Sequence, residues 1–294
     1  MAKDFHDNFK IVRSVFDEIE EATSLSLRKI IFENPSNELN LTNFTQIAIF
    51  ATSYAIFKVI ETEFDVNKMN IDFMLGHSLG EYTALCASNI LSIEDAAFLL
   101  KKRGELMQNA YEPNKSGMAA IIGIDSKKAE IIIKEKKLNL QIANDNSPQQ
   151  VVLSGTIENL NNAEKIFIGE GVKKFIPLKV SAAFHSPLML SAEEKMKEFI
   201  DNTTFKNSSI SIISNSTGKI TKDNSEIVFN LLNQMSSRVR WVESIVSLEK
   251  ASENKIVEIG PGKVLSGLIK RISSNFKIKN FNTISDIKEI NNEI

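Results

Sequence analysis

Apolar residues recur at helical spacing through residues 43–63 (Ile47, Ile49, Phe50, Tyr54, Phe57, Ile60), and the Thr42-Asn43 pair before them can cap a helix. The pattern predicts a helix laid on a core. Asp72-Phe73-Met74-Leu75 then reads as a short buried strand. Gly76-His77-Ser78-Leu79-Gly80 comes next, leading into an Ala-rich helical run and a second helix from about Ser92 to Gln108. The local order is strand, glycine turn, helix.

From Gly117 the periodicity changes. MAAIIGI, LQIAN, QQVVLSG and VKKFIPL read as strands, and SKKAEIIIKEKK and TIENLNNAEKIFIGEG as helices, in the β-α-β-β-α-β order of a ferredoxin-like unit. Asn144-Asp145-Asn146-Ser147-Pro148 supplies turn chemistry between the middle strands, and Gly171 sits where a helix should break. Beyond it lie a helix opened by Ser186-Pro187, a short strand around Ile210 to Ile213, and helices near Ser225 to Met235 and from Trp241. KIVEIG, Pro261-Gly262 and VLSGLIKRI close the series as strand, turn and helix. This alternation predicts an α/β fold. A larger, mainly parallel, α/β-hydrolase-like subdomain (1–116 and 182–294) is interrupted by a small ferredoxin-like one (117–181).

At 294 residues, 43% hydrophobic and 24% charged, the chain can bury a sizeable core. A net charge of -2 gives no reason to expect a nucleic acid or a membrane as partner. The charged start, MAKDFHDNFK, argues against export, and no apolar stretch approaches the roughly 20 residues a bilayer span needs. The single cysteine, Cys86, excludes an intramolecular disulfide and fits a reducing cytosol; within TALCAS it reads as packing. His6, His77 and His185 show no zinc spacing. The expectation is a cytoplasmic monomer with no metal and no cofactor.

Candidate chemistry centres on the glycine turn. Gly76-x-Ser78-x-Gly80 between a strand and a helix has the form of a nucleophile elbow, which lifts a serine hydroxyl off the sheet. The helix after it directs its N-terminal N–H groups at the same spot, so the Leu79 amide can stabilise an oxyanion. A serine needs a base within reach. His77 is adjacent on the turn and leaves the backbone in another direction, and His6 lies in a polar leading segment. Elimination therefore favours His185, which alone would read as a capping or surface residue. No acidic residue stands out as a third member to orient the imidazole.

GHSLGEY (76–82), KKRGELMQ (101–108), GMAAIIG (117–123), NDNSPQQVVLSG (144–155), SAAFHSPLM (181–189) and EIGPGKVL (258–265) resemble, in order, the successive motifs of malonyl-CoA:acyl carrier protein transacylases. These are acyltransferases of fatty-acid and polyketide synthesis, and the resemblance runs to about residue 275. It implies ping-pong transfer: Ser78 takes malonyl from malonyl-CoA as an ester and passes it to the phosphopantetheine thiol of holo acyl carrier protein. It implies His185 as base and Arg103 as partner of the malonyl carboxylate, a role that suits the guanidinium fork. The family orients its histidine with a glutamine main-chain carbonyl; Gln234 matches that position, its side chain otherwise reading as a polar group on a helix surface. Phe184 resembles the malonyl-selective form of its motif. Glu81-Tyr82 completes the first motif without an assigned role, and Gly260-Pro261-Gly262 reads as a backbone turn.

The chain also departs from the family. Members begin with a strand and a glutamine- and glycine-rich loop that supplies a second oxyanion amide, whereas MAKDFHDNF resembles the family segment just after that loop. Two readings fit: a start upstream of Met1, which we favour, or a degraded relative. Two rivals to the transferase also stand, a serine esterase or thioesterase using the same elbow and a non-catalytic remnant that binds carrier protein.

Overall fold

A computed structural model describes residues 1–35, 37–63 and 70–288; residues 289–294, the end of the expected large subdomain, lie outside the described residues. Helix Thr42–Glu63 is apolar on every side, with Ile47, Phe50, Ala51, Ile56 and Val59 fully buried, and a helix of that kind belongs at the centre of a core. It is long and apolar enough to cross a bilayer by length and composition, which corrects the expectation that no stretch approaches this. Most of it is buried inside the protein, between helices Lys10–Thr23 and Ile93–Gln108.

The second helix runs Ile93–Gln108, and the Ser92 hydroxyl accepts from the Asp95 N–H to cap it. Gly104 lets it approach the first closely, since a Cβ there would stand 2.6 Å from Asn43 Cα. That approach brings Arg103, the neighbouring residue, within reach of Gln46 on the first helix.

Nine strands are present among the described residues: β1 (Phe73–Met74), β2 (Ser116–Ile122), β3 (Gln141–Ser147), β4 (Gln150–Thr156), β5 (Lys174–Pro177), β6 (Ser211–Ile213), β7 (Ile220–Thr221), β8 (Lys255–Ile259) and β9 (Lys277–Phe281). They form a mixed α/β protein of three sheets. Outside residues 117–181, where a mainly parallel core is expected, the strands form two small sheets. In the first, β1 pairs parallel with β6 while β7 pairs antiparallel with it; the second is the parallel pair β8 and β9. The antiparallel element arises because the chain turns back directly after β6, where Gly218 donates to the Ser214 carbonyl and Ser214 to that of Lys219.

The third sheet is antiparallel with strand order β3-β4-β2-β5. Helices Ser126–Glu135 and Ile157–Gly169 cover it, burying Ile132, Leu160 and Phe167 against Ile121, Val151 and Leu153. The polar run 144–147, expected as a turn, is strand: β3 extends to Ser147, and the connection to β4 shortens to Pro148-Gln149. The reason is a second set of partners. Asp145 N–H donates to the Val239 carbonyl and Val239 N–H to that of Ala143, while two irregularities re-aim the strand against β4.

Gly104→Ala inverts the usual helix rule. Alanine in a helix interior is normally favoured by about 1 kcal/mol over glycine, but here its methyl meets backbone and should destabilise by roughly 1–3 kcal/mol. A urea denaturation curve at or above the parent midpoint would refute the close approach.

Candidate active site

β1 ends two residues before Gly76, and the chain then reverses within five residues. Ser78 adopts φ 55, a left-handed conformation that costs a serine on the order of 1–3 kcal/mol. The surroundings hold it there. The Asn215 side chain clamps the turn, its Oδ1 accepting from the Ser78 N–H at 2.7 Å and its Nδ2 donating to the Gly76 carbonyl at 2.7 Å. Gly76 is sterically obligatory, because a Cβ there would lie 2.1 Å from the Gly80 carbonyl carbon. Gly80 has no heavy atom within 4 Å of such a position, so only the first of the two glycines serves the sharp turn.

Helix Gly80–Ala87 begins at once. The turn's own hydrogen bonds run from Gly80 N–H to the His77 carbonyl, Glu81 to Ser78 and Tyr82 to Leu79, none drawing on the Leu79 N–H. The Ser78 amide is taken by Asn215, and the Leu79 N–H enters none of these bonds.

His185 also sits at φ 55, in a segment fixed by its own N–H donating to the Met235 carbonyl. Its Nε2 lies 2.8 Å from Ser78 Oγ, and its Nδ1 lies 3.0 Å from the Gln234 carbonyl and 3.1 Å from that of Ser237. A carbonyl only accepts, so Nδ1 carries the proton and Nε2 is left with its lone pair facing the serine hydroxyl. Two main-chain carbonyls thus occupy the place where a carboxylate would stand in a triad. His77 points elsewhere, its Nε2 lying 2.8 Å from Asn146 Oδ1 and its ring 5.4 Å from that of Trp241. His6 packs against Phe16 and Phe32, far along the chain from the turn.

Arg103 is 1% exposed. It donates to Ser78 Oγ at 3.1 Å, to Gln234 Oε1 at 2.9 Å and to Gln46 Oε1, with the Tyr82 ring 5.7 Å away. All three acceptors are uncharged. Gln234 is buried and lies in the turn after helix Asn224–Leu232, so the expectation of a surface side chain on a helix is wrong. Its Nε2 donates to the Ser78 carbonyl at 3.1 Å and to Glu81 Oε2 at 2.6 Å, the same carboxylate oxygen that accepts from the Asn215 N–H at 3.2 Å. Phe184 is half-buried and packs between the main core and the face of the antiparallel sheet.

Burial sets the electrostatics. His185 is pushed down to about 3, first by desolvation and then by the Arg103 charge, and Arg103 itself is lowered by desolvation. Glu81 is pushed up to about 7 by burial, with Gln234 and Asn215 pulling it back. Cys86, buried in the core, is pushed up to about 12, which leaves it an unreactive thiol. A cavity of about 310 Å³ opens beside His185, lined by Pro187, Ile142, Glu130, Arg238 and Arg240 among others. Sequence reasoning missed Gln46, Asn215 and the role of Glu81. Gln46 left one trace, as a polar residue inside an apolar helical run.

The charged imidazolium is the form that burial penalises, so His185 should stay neutral down to about pH 5. A titration followed by ¹⁵N-edited NMR tests this, and a midpoint near the free-imidazole value of about 6.5 would place the ring in water.

Residues 1–288 match the family described as acyl transferase domain. The chain is 38% identical over 280 residues to the malonyl CoA-acyl carrier protein transacylase of Bacillus subtilis (strain 168), covering 94% of this chain and 87% of that one. The crystal structure of the acyl-carrier-protein-S-malonyltransferase from Bartonella henselae aligns with a TM-score of 0.93 at 38% identity, over 99% of this chain and 93% of that one. A malonyl-transacylase solved in complex with a type II PKS acyl-carrier protein aligns with a TM-score of 0.91 at 31% identity, over 98% and 93% of the two chains. With a half-buried serine meeting a buried imidazole and guanidinium at one turn and this likeness running almost end to end, the chain is an acyltransferase and belongs to the acyl transferase domain family.

Proposed function

We propose that the protein transfers malonyl from malonyl-CoA to the phosphopantetheine thiol of holo acyl carrier protein, in fatty-acid synthesis, through a serine ester. The observation that carries this reading is the approach of Ser78 Oγ to both His185 Nε2 and the Arg103 guanidinium. The first contact supplies an acylation centre and the second sets a positive charge beside the acyl group.

The geometry supports a two-stage exchange. His185 Nε2 takes the hydroxyl proton as Ser78 Oγ attacks the thioester carbonyl, and the oxyanion forms against the Leu79 N–H. Collapse breaks the carbon–sulfur bond, and the imidazolium returns its proton to the departing coenzyme A thiolate. The carrier thiol then gives its proton to His185 and attacks the serine ester; collapse breaks the ester carbon–oxygen bond, the imidazolium returns the proton to Ser78 Oγ, and malonyl leaves on the carrier thiol. The imidazolium lasts only while the oxyanion does, which suits a base oriented by neutral carbonyls. Arg103 has no ion pair among the described residues, so its fork is available to a substrate carboxylate once Gln46 or Gln234 yields. Phe184, next to His185, then forms a wall that limits the bulk of the acyl group. Arg238 and Arg240 in the adjacent cavity, paired at rest with Glu130 and Glu243, suit the phosphates of coenzyme A or of the carrier's prosthetic arm once those pairs open.

The same reading extends to the architecture. The strand order β3-β4-β2-β5 with two covering helices supports a ferredoxin-like subdomain at 117–181, inserted into a hydrolase-like catalytic subdomain made of 1–116 and 182–294. The protein is read as a cytoplasmic monomer.

Incubation with radiolabelled malonyl-CoA, with and without holo carrier protein, separates transfer from hydrolysis and from inertness. Ser78→Ala should abolish the malonyl adduct seen by intact mass, and a persistent adduct would sink the assignment. Arg103→Ala should lower the ratio of malonyl to acetyl transfer by at least about tenfold. The lost charge-assisted hydrogen bonds are worth roughly 1.5–3 kcal/mol each, and about 1.4 kcal/mol is already tenfold. Equal effects on both acyl groups would move Arg103 to a structural role.

A further inference from the structure

Glu81 has no part in the steps above, yet among the described residues it is the one buried carboxyl in contact with this site, 1% exposed and pointing inward from the first turn of helix Gly80–Ala87. An acidic side chain is almost never fully buried without an organised set of donors, so its partners say what it does. One oxygen, Oε2, accepts from two groups: Gln234 Nε2 at 2.6 Å and the Asn215 N–H at 3.2 Å. Asn215 holds the Ser78 and Gly76 backbone through its side chain, and Gln234 holds His185 Nδ1 through its carbonyl. The same Gln234 side chain also donates to the Ser78 carbonyl and accepts from Arg103.

We propose that Glu81 is a positioning residue: its Oε2 is the shared acceptor that ties Asn215 to Gln234 and thereby fixes Ser78 and His185 relative to each other. The inference rests on the reading of Ser78 and His185 as the acylating pair. Glu81 touches neither substrate nor the reacting atoms and acts through its two donors. Its orientation of Gln234 also decides which way that amide faces. With Nε2 held by a carboxylate, Oε1 must face Arg103, so one anion keeps an acceptor on the guanidinium without meeting it directly.

The ionised form serves the role, because Gln234, the Asn215 N–H and the Ser214 side chain all favour it and hydrogen bonds to a charged acceptor are the stronger ones. Arg103, from helix Ile93–Gln108, is the charged group facing Glu81, and it favours ionisation. Tyr82, on the same helix as Glu81, is held neutral by burial; Ser214, Asn215 and Gln234 are uncharged; Glu193 faces Tyr82, and His185 faces Arg103. Burial opposes ionisation most strongly and lifts the carboxyl to about 7, far above the neutral imidazole at about 3. The two titrations are therefore separate. Serine acylation should rise with pH through the Glu81 transition, since its ionised form predominates above the raised value.

The test is single-turnover acylation from malonyl-CoA by rapid quench and intact mass, between about pH 5.5 and 8.5, a window that brackets the Glu81 transition and lies above that of His185. Parent, Glu81→Gln and Glu81→Asp are compared, with melting curves for each. Glu81→Gln should lower the acylation rate by about ten- to a hundredfold, as misplacement of reacting groups does, with KM for malonyl-CoA within about twofold. Its residual rate should be flat where the parent's rises. Glu81→Asp should keep the rise and recover part of the rate.

A Glu81→Gln enzyme that acylates at the parent rate, or keeps the rise, overturns the role. So does a Glu81→Asp enzyme no better than Glu81→Gln. If Glu81→Gln gives no cooperative melt, Glu81→Asp decides alone: rise kept with rate reduced supports the role, and rise lost or rate unchanged overturns it. A parent that takes no malonyl at any pH overturns the proposed function, and this inference with it. A parent that acylates beside an indifferent Glu81→Gln removes only the inference.

Discussion

Arg103 keeps its guanidinium 1% exposed with no ion pair among the described residues, and a cation taken out of water must be met by oxygen atoms. Much of the site's arrangement answers that requirement. Gln46, Gln234 and Ser78 each turn an oxygen toward it, and Tyr82 offers a ring face. A direct carboxylate would satisfy the charge more strongly and would also cancel it. Glu81 instead stands one side chain away, behind Gln234. The result is a positive charge that is solvated by the protein and still available.

Two left-handed residues face one another across the centre, Ser78 and His185, each at φ 55. Such conformations persist where the surroundings over-determine them. Ser78 is held at its N–H by Asn215 and on its carbonyl by Gln234, while His185 is held by main-chain carbonyls at its ring and at its amide. Every one of these contacts joins segments far apart in sequence. The elbow therefore depends on the chain around β6 and on the turn after helix Asn224–Leu232 as much as on its own glycine.

That dependence explains which features are legible in the sequence and which are not. The strand–turn–helix around Ser78 is local, carried by Gly76 and the apolar runs beside it, and a single pass along the chain finds it. The order of elements from 116 to 177 is likewise local periodicity. Arg103 and Gln234 have no local signature, since one lies in an ordinary charged helix and the other between Asn233 and Met235, and only the family resemblance draws attention to them. Asn215 sits in Ser214-Asn215-Ser216, which reads as loop, and its partner Ser78 is 137 positions away. The 144–147 run misleads because its polar side chains suggest a turn, whereas its backbone partners at Val239 lie outside any local window. The expectation of a mainly parallel core misleads for the opposite reason: strand–helix alternation is a rule about sequence order, and the turn after Ser214 reverses β7.

Arg103 and His185 also explain why a carbonyl, rather than a carboxylate, orients the imidazole. A carboxylate at Nδ1 would favour the imidazolium at rest and draw the guanidinium toward itself, cancelling the charge that the proposed substrate needs. Two carbonyls fix the same tautomer and add no net charge, leaving burial first, and the Arg103 field second, to hold His185 neutral. On the proposed reading, the arriving malonyl carboxylate neutralises that field at the guanidinium. The obstacle to protonating His185 then weakens at the step when Ser78 must give up its proton. A neutral acyl group would leave the field in place. The same guanidinium would thus discriminate twice, once by pairing with the diacid and once by releasing the base that acts on it.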